Sequence, residues 1–165
     1  MTPFLDLILS SPHAALEDVG QTLREAYRWL RAGCEIGMYP YVIPFSGSAV
    51  ARNPNLLPQT YYAHQRVAGT DIAWEQPVKI LPIDPIVTDA ILRMESRFEA
   101  MLGPLEQQGT HLPSRLRSLL WILSSLPIMA ERGQYIADES EVWSELHARL
   151  PTLQPAAARI ATASA

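Results

Sequence analysis

The sequence predicts an α/β fold that opens with a strand–helix–strand unit and continues into a hairpin and a helical segment. Two short apolar runs, residues 5–9 and 36–45, lack a helical period and are typical of buried strands. Between them, apolar residues recur at the three- and four-residue spacing of one buried helix face. This stripe consists of Leu16, Val19, Leu23, Tyr27 and Leu30. The short connections predict that the two strands pair in parallel, as in a βαβ unit.

The helix of this unit should end at Gly33, because glycine adopts the positive φ that commonly terminates helices. Its polar residues should face water, and they are Glu17, Gln21, Arg24, Arg28 and Arg31. Ligands of parallel sheets bind at the carboxyl ends of the strands, which here are residues 10–12 and 44–47. Gly47 lies between two serines, so this turn is either a small anion site or, more commonly, a plain strand-ending turn.

The middle of the chain predicts an extended arm that leads into a helix. A proline-rich loop precedes a loose hairpin at residues 61–81, in which Pro77 suits an edge strand. Asp84 and Pro85 begin a helix that apolar spacing carries to about residue 107, although Pro104 favours an earlier end or a kink. The predicted segments are the βαβ unit at 1–48, the loop and hairpin arm at 49–83, a helical segment at 84–150 and a frayed tail at 151–165.

Two further helices are expected in the helical segment. Pro113 opens the first, whose wide apolar face Pro127 should bend or break. Its apolar stretch, residues 119–129, is predicted to be a buried core helix, because a bilayer span needs about 20 residues. Asp138 and Glu141 have the spacing of a capping box and predict the start of the last helix.

Composition and charge restrict the classes of function. The 165 residues, 48% hydrophobic and 18% charged, suit one globular domain with a sizeable core. A net charge of −4 disfavours a nucleic-acid partner, because such a partner requires a basic face. We also expect no membrane partner. The N-terminus lacks the basic region of a signal peptide, which predicts a cytoplasmic protein.

The βαβ region, residues 4–48, also carries particular residues in a recognisable order. They are Asp6-Leu7-Ile8-Leu9-Ser10-Ser11-Pro12, Leu16-Glu17-Asp18, Thr22-Leu23, Tyr39, Pro44 and Gly47. This order resembles the closing part of a radical S-adenosylmethionine (radical SAM) domain. There, a late strand ends in Ile-x-Gly-x-Pro, a helix opens with Thr-x-Glu-Asp, and the last strand carries a Tyr before a Pro-x-x-Gly turn. The resemblance implies the end of a partial (βα) barrel-type domain. Residues 52–102 also resemble, without a specific shared motif, the tails that follow the barrel in cobalamin-linked members.

The resemblance also implies which residues bind a cofactor. In radical SAM domains the strand corresponding to Ile8 contacts the adenine of S-adenosylmethionine, and backbone near the end of the last strand lines the same pocket. The candidate cofactor-binding residues are therefore Ile8, Ser10, Tyr39 and Tyr41. Ser10 replaces the family's glycine, so a side chain occupies a place where backbone approaches the ligand. The alternatives are core packing for Ile8 and half-exposed strand positions for the two tyrosines, which should share one side of the strand.

No catalytic or metal-binding residue is predicted. The radical SAM cluster motif, Cys-x-x-x-Cys-x-x-Cys, is absent, and Cys34 is the only cysteine. An iron–sulfur cluster needs three or four thiolates, so this chain cannot hold one by itself. Cys34 is instead expected to be a small buried residue. The histidines do not pair with one another or with cysteine at ligand spacing, and they are His13, His64, His111 and His147.

Two hypotheses about function follow from the sequence. In the first, the chain is the C-terminal portion of a radical SAM enzyme, inactive alone, and binds S-adenosylmethionine only with a completing segment. In the second, it is a stand-alone, non-catalytic α/β module that binds a partner. The expected partner is an N-terminal barrel segment, or a second copy that pairs through exposed sheet edges. A three-cysteine motif encoded upstream of Met1 would favour the first hypothesis.

We expect the purified chain to be colourless and to cleave no S-adenosylmethionine, because Cys34 alone supplies too few thiolates for a four-iron cluster. Anaerobic reconstitution with iron and sulfide, followed by absorption spectroscopy and iron analysis, measures this directly. A stable brown protein that retains about one cluster per monomer would contradict the expectation.

Overall fold

The computed structural model describes residues 3–44, 48–106 and 112–149, and its first three elements form the predicted βαβ unit. Strand β1 (Phe4–Ile8) and strand β2 (Glu35–Tyr39) pair in parallel, and helix α1 (Leu16–Arg31) connects them. In the register of this sheet, Phe4 lies beside Glu35 and Ile8 lies beside Tyr39. The prediction of a parallel strand–helix–strand unit is therefore confirmed.

Local interactions explain where α1 begins and ends. The backbone N–H of Ala15 donates to Asp18 Oδ2 at 2.8 Å, which satisfies one of the free donors at the start of the helix. The acidic residues of the first turn and the basic residues of the last turn complement the helix dipole. Gly33 follows the helix with φ of 95°, a conformation that a residue with a Cβ adopts only under strain, as the sequence predicted.

The chain then forms an antiparallel hairpin and three further helices. Strands β3 (Thr60–Arg66) and β4 (Ala73–Ile80) follow a short 3₁₀ helix at Pro54–Gln59. The hairpin is confirmed, and its register shifts by one residue near Pro77, where the missing N–H is tolerated. Most of the hairpin is exposed on both faces. At its base, however, Ile80 is buried and its N–H donates to the Val42 carbonyl at 3.0 Å.

Helix α3 (Ser114–Ala130) is the centre of the hydrophobic core. It packs against β2, α1, helix α2 (Pro85–Glu106) and helix α4 (Glu139–Arg149). The ring of Trp121 on α3 stacks on Phe98 of α2, with ring centroids 4.4 Å apart. The buried core helix predicted at residues 119–129 is confirmed. No helix within the described ranges has the length and apolar character needed to cross a membrane.

Two boundaries differ from the sequence predictions. β2 ends at Tyr39 and not at residue 45, because its partner strand β1 already ends at Ile8, the register partner of Tyr39. α3 continues through Pro127, because this proline lies within the last turn and costs one hydrogen bond that core packing outweighs. α2 ends at Glu106, which confirms the predicted end near residue 107, and Pro104 does not end it earlier. The turn at residues 45–47, His111 and the tail at 151–165 lie outside the described residues. The start of α4 after Asp138 is confirmed, because Asp138 Oδ1 accepts from the Glu141 N–H at 3.1 Å.

One side chain of α1 that was expected to face water is partly covered. The guanidinium of Arg24 donates to Gln134 Oε1 and to the Tyr135 carbonyl, both at 3.2 Å. These contacts join α1 to the loop between α3 and α4. Only the tertiary structure brings this loop to the helix, so the alternation of polar and apolar residues could not reveal it.

Replacing Leu23 with Ala tests the packing of α1 on the sheet. Leu23 is fully buried in the middle of the helix stripe, and its truncation should cost about 2–5 kcal/mol of the free energy of unfolding. Arg28→Ala is the control, because its side chain is 73% exposed and pairs only with Glu25 on the surface. That control should cost no more than about 0.5 kcal/mol. Urea denaturation of both variants measures the difference, and equal losses would mean that the face of α1 is assigned wrongly.

Candidate functional site

A cleft of about 450 Å³ opens between the end of β2 and the helices α2 and α3. Gly37 and Tyr39 of β2 line one side, and Glu95 and Glu99 of α2 line the other. The stacked rings of Phe98 and Trp121 form part of its wall, so the cleft combines an aromatic surface with carboxylates at the rim. Concave sites with a few converging polar groups are the usual places for ligand binding.

Tyr41 and Glu95 line the cleft and form a polar cluster with Lys79. The Tyr41 hydroxyl donates to Glu95 Oε1 at 2.6 Å, and Lys79 Nζ lies 3.6 Å from Glu95 Oε2. The same ammonium group lies 4.8 Å from the ring centroid of Tyr41 and 5.5 Å from that of Tyr61. Lys79 is the only lysine of the chain, and it is held by one carboxylate and two aromatic faces.

The environment of Tyr41 favours its protonated form. Burial raises the pKa of its phenol well above the ordinary value, and the hydrogen bond to Glu95 and the charge of that carboxylate raise it further. Tyr41 therefore acts as a hydrogen-bond donor to Glu95 and is unsuited to serve as a base. Since Lys79 belongs to β4, this cluster also attaches the hairpin arm to α2.

Two of the four predicted cofactor-binding residues lie together. Ile8 and Tyr39 are register partners at the ends of β1 and β2, and their side chains are 50% and 42% exposed. They belong to one face of the sheet, here called the open face, which also carries Phe4, Asp6, Glu35 and Gly37. Core packing, the alternative considered for Ile8, is therefore wrong. The opposite face of the sheet is the one that contributes Leu9, Ile36 and Met38 to the core.

Gly37 has no side chain, so the open face has a depression at its centre. A Cβ at this position would lie 2.4 Å from Asp6 Oδ1 and 3.5 Å from ring atoms of Phe4 and Tyr39. The carboxylate of Asp6 therefore lies over the Gly37 backbone, between two aromatic rings. The result is a shallow surface on which Phe4, Ile8 and Tyr39 supply apolar area and Asp6 and Glu35 supply carboxylates.

The other two predicted residues have different surroundings. Ser10 is buried, and its hydroxyl donates to the Pro40 carbonyl at 2.6 Å, which ties together the chain ends that follow β1 and β2. The serine that replaces the family's glycine thus makes an internal contact. Tyr41 lines the cleft with Tyr39, but its hydroxyl is directed to α2, because β2 has already ended and strand alternation no longer applies.

Sequence reasoning missed Glu95 and Lys79. Both belong to segments distant from the βαβ unit, and only the tertiary structure brings them to Tyr41. A weak signal did exist for Lys79, because a sole lysine between the apolar residues Val78 and Ile80 is unusual in a strand. Glu95 carries no comparable signal, since charged residues are common on the polar side of a helix.

Within the described ranges, no three or more His, Cys, Asp or Glu side chains come close enough to hold a metal ion. Cys34 is half-buried at the end of α1 and has no second thiolate in the sequence, so the chain's residues do not fit an iron–sulfur cluster. Comparisons with protein-family models, curated proteins and solved structures find no match for this chain. Function must therefore be inferred from the geometry of an α/β protein with an open sheet face beside a cleft.

The raised pKa of Tyr41 predicts how stability depends on pH. The unfolded chain loses this phenol proton near pH 10, whereas the folded chain retains it to higher pH. The stabilisation is therefore fully present below pH 10 and is lost as pH rises through the raised pKa. Urea denaturation between about pH 9 and 11 should show a shallower loss of stability for Tyr41→Phe than for the wild type. Glu95→Gln should fall between them, because burial of the phenol remains. Identical pH slopes for all three proteins would contradict the prediction.

Proposed function

We propose that this chain is the C-terminal portion of a radical SAM enzyme and that its first two strands form one wall of the adenine pocket for S-adenosylmethionine. The observation that carries the proposal is the register pair of Ile8 and Tyr39 on the open face of a parallel sheet. These two positions were chosen from the sequence by resemblance alone. They lie side by side at the carboxyl end, where ligands of such sheets bind.

The arrangement of α1 supports a barrel-type origin for this sheet. In a (βα) barrel, helices cover the outside of the strands and the opposite face lines the interior. Here α1 covers the face that carries Ile36 and Met38, and the open face has the position of a barrel interior. In this proposal the open face, which carries Phe4, Ile8 and Tyr39 beside Asp6 and Glu35, would be turned towards further strands of a larger barrel.

The chemistry of the open face suits adenine. A purine has two apolar ring faces, and the aliphatic side chain of Ile8 and the phenol ring of Tyr39 offer apolar surface at adjacent positions. An iron–sulfur cluster and the cleavage of S-adenosylmethionine would be supplied by a completing segment, since Cys34 is the only cysteine here. This chain's contribution is to hold the nucleoside, and it is inactive alone.

The second candidate function is a stand-alone α/β interaction module. It is favoured by the continuity of the hydrophobic core, which extends from Leu9 of the sheet region through α1, α2 and α3 to Leu146 of α4. A chain that buries such a core has the means to fold without another segment. In this case the open face would bind a protein and not a nucleoside.

Nuclear magnetic resonance on the isolated chain separates the two candidates. Titration with S-adenosylmethionine should shift the resonances of the Ile8 methyl groups and the Tyr39 ring. The Kd should be on the order of a millimolar, because a single wall contributes little affinity. At lower ligand concentrations the site would fill only with the completing segment, so the isolated chain should show only this weak binding. Cytidine, which lacks the purine, should shift the same resonances much less.

Matched variants test whether the open face carries this binding. Tyr39→Ala should abolish the shift of the Ile8 methyl groups. Tyr62→Ala, which removes an equally exposed tyrosine from the hairpin (42% for both residues), should leave it unchanged. The interaction-module function would replace the proposal if S-adenosylmethionine and cytidine gave equal shifts, or if neither reached Ile8.

A further inference from the structure

The two edges of the parallel sheet are covered unequally. Along β2, α3 packs against the edge, and the Ser118 hydroxyl donates to the Ile36 carbonyl at 2.5 Å. Along β1, residues 3, 5, 7 and 9 face β2, as the bonds from Glu35 N–H to the Pro3 carbonyl and from Leu9 N–H to the Tyr39 carbonyl show. The alternation of a parallel ladder then directs the N–H and C=O groups of Phe4, Asp6 and Ile8 outward.

These outward groups have no backbone partner within the described part of the chain. An unpaired edge of this kind is a template for another strand, which would supply the missing hydrogen bonds. A strand added along β2 would meet α3 at Ile36, so β1 offers the accessible edge.

Apolar surface flanks the β1 edge on both sides. On the open face, Phe4 is 53% exposed and Ile8 is 50% exposed. On the helix side, a groove of about 300 Å³ lies between β1 and α1, lined in part by Leu7 and by the half-exposed ring of Trp29. An added strand would therefore place alternate side chains against apolar surface on either face.

The charge beside this edge is acidic. Asp6 lies in the middle of β1 on the open face and forms no ion pair with any described residue. The groove on the helix side is lined by Asp18 and Glu25, and no lysine or arginine lines it. Asp18 accepts from the Ala15 N–H and Glu25 pairs with Arg28, whereas Asp6 is the carboxylate that lies on β1 itself.

A second copy of this chain fits the edge poorly. Antiparallel pairing of two β1 strands can match Phe4 with Ile8 only if Asp6 of one copy lies directly opposite Asp6 of the other. Like charges at directly opposite strand positions are destabilising. A charge in the middle of an edge strand is a common device against such self-pairing.

We propose that the outer edge of β1 docks one extended strand of a protein partner, and that this strand carries a basic residue opposite Asp6. The docked strand forms backbone hydrogen bonds with Phe4, Asp6 and Ile8. The Asp6 carboxylate favours strands that place a basic side chain opposite it. The inference does not depend on nucleoside binding. If the proposed function also holds, the docking strand belongs to the completing segment of the barrel.

A tethered strand tests the docking edge without knowledge of the natural partner. The probe is Thr-Val-Lys-Val-Thr, joined to the N-terminus of the full chain through a flexible Gly/Ser linker, so that its effective concentration is about millimolar. Hydrogen exchange followed by NMR then reports the amides of Phe4, Asp6 and Ile8. The probe should slow their exchange. The Leu9 amide, which already donates to Tyr39, should be unaffected.

The control probe carries Glu in place of Lys and is otherwise identical. It should protect the three edge amides about fivefold less, because it places a like charge opposite Asp6. Asp6→Lys in the chain should reverse the preference, so that the Glu probe protects more than the Lys probe. This reversal is diagnostic, since a change that merely unfolded β1 would weaken both probes and expose Leu9.

Three outcomes would overturn the inference. The first is no added protection with either probe while Leu9 stays protected. The second is equal protection by the Lys and Glu probes, which would show that Asp6 does not select. The third is edge-amide protection in the untethered chain that rises with protein concentration, because the occupant would then be a second copy.

Discussion

The position of α3 is the constraint on which the rest of the structure depends, and the polar contacts of two of its side chains fix it. The Arg115 guanidinium donates to the carbonyls of Leu30 and Cys34 at the end of α1, and it also pairs with Glu145 of α4 at 2.9 Å. Three residues further along, Ser118 binds the edge of β2. Two polar side chains of α3 thus bind carbonyls of both a helix end and a strand edge. Leaving the Cys34 or Ile36 carbonyl unpaired would cost about 1–3 kcal/mol, whereas Leu30 also accepts from the Gly33 N–H.

This placement of α3 decides which surfaces of the sheet remain available. α1 covers one face of β1 and β2, and α3 covers the edge of β2 at Ile36. What is left is the open face around Asp6 and Gly37 and the outer edge of β1. The open face borders the cleft beside α2 and α3, and the outer edge of β1 borders the groove beside α1. A two-stranded parallel sheet is small for a stable unit, so these uncovered surfaces are where a ligand wall or a further strand would add stability.

The cluster of Tyr41, Glu95 and Lys79 attaches the β3–β4 hairpin, which buries few residues, to the rest of the protein. Most residues of β3 and β4 are exposed on both faces, and a lone hairpin is marginal in water. Its base is attached by Ile80 in the core and by the ammonium of Lys79 between Glu95 and two tyrosine rings. The same contacts border the cleft, so the arm and the candidate site are mechanically connected.

The sequence by itself determined the local elements of this protein, because their signals are local. The spacing of Val19, Leu23 and Leu30 specified a helix and its buried face, and Gly33 specified where that helix ends. The parallel strands, the hairpin and the buried core helix followed from the same periodicities. Pro127 misled the prediction for α3, since this helix continues through the proline once core packing compensates for one lost hydrogen bond.

Only the tertiary structure decided which distant residues meet. Sequence spacing does not show that Arg115 reaches the end of α1 or that the Ser10 hydroxyl donates to the Pro40 carbonyl. It also does not show that Glu95 and Lys79 contact Tyr41. Nor does it show which edge of the sheet α3 covers. Each of these contacts joins segments far apart in the chain, so it depends on how whole helices pack. Side-chain periodicity indicates which face of an element is buried, but not which residues lie against that face.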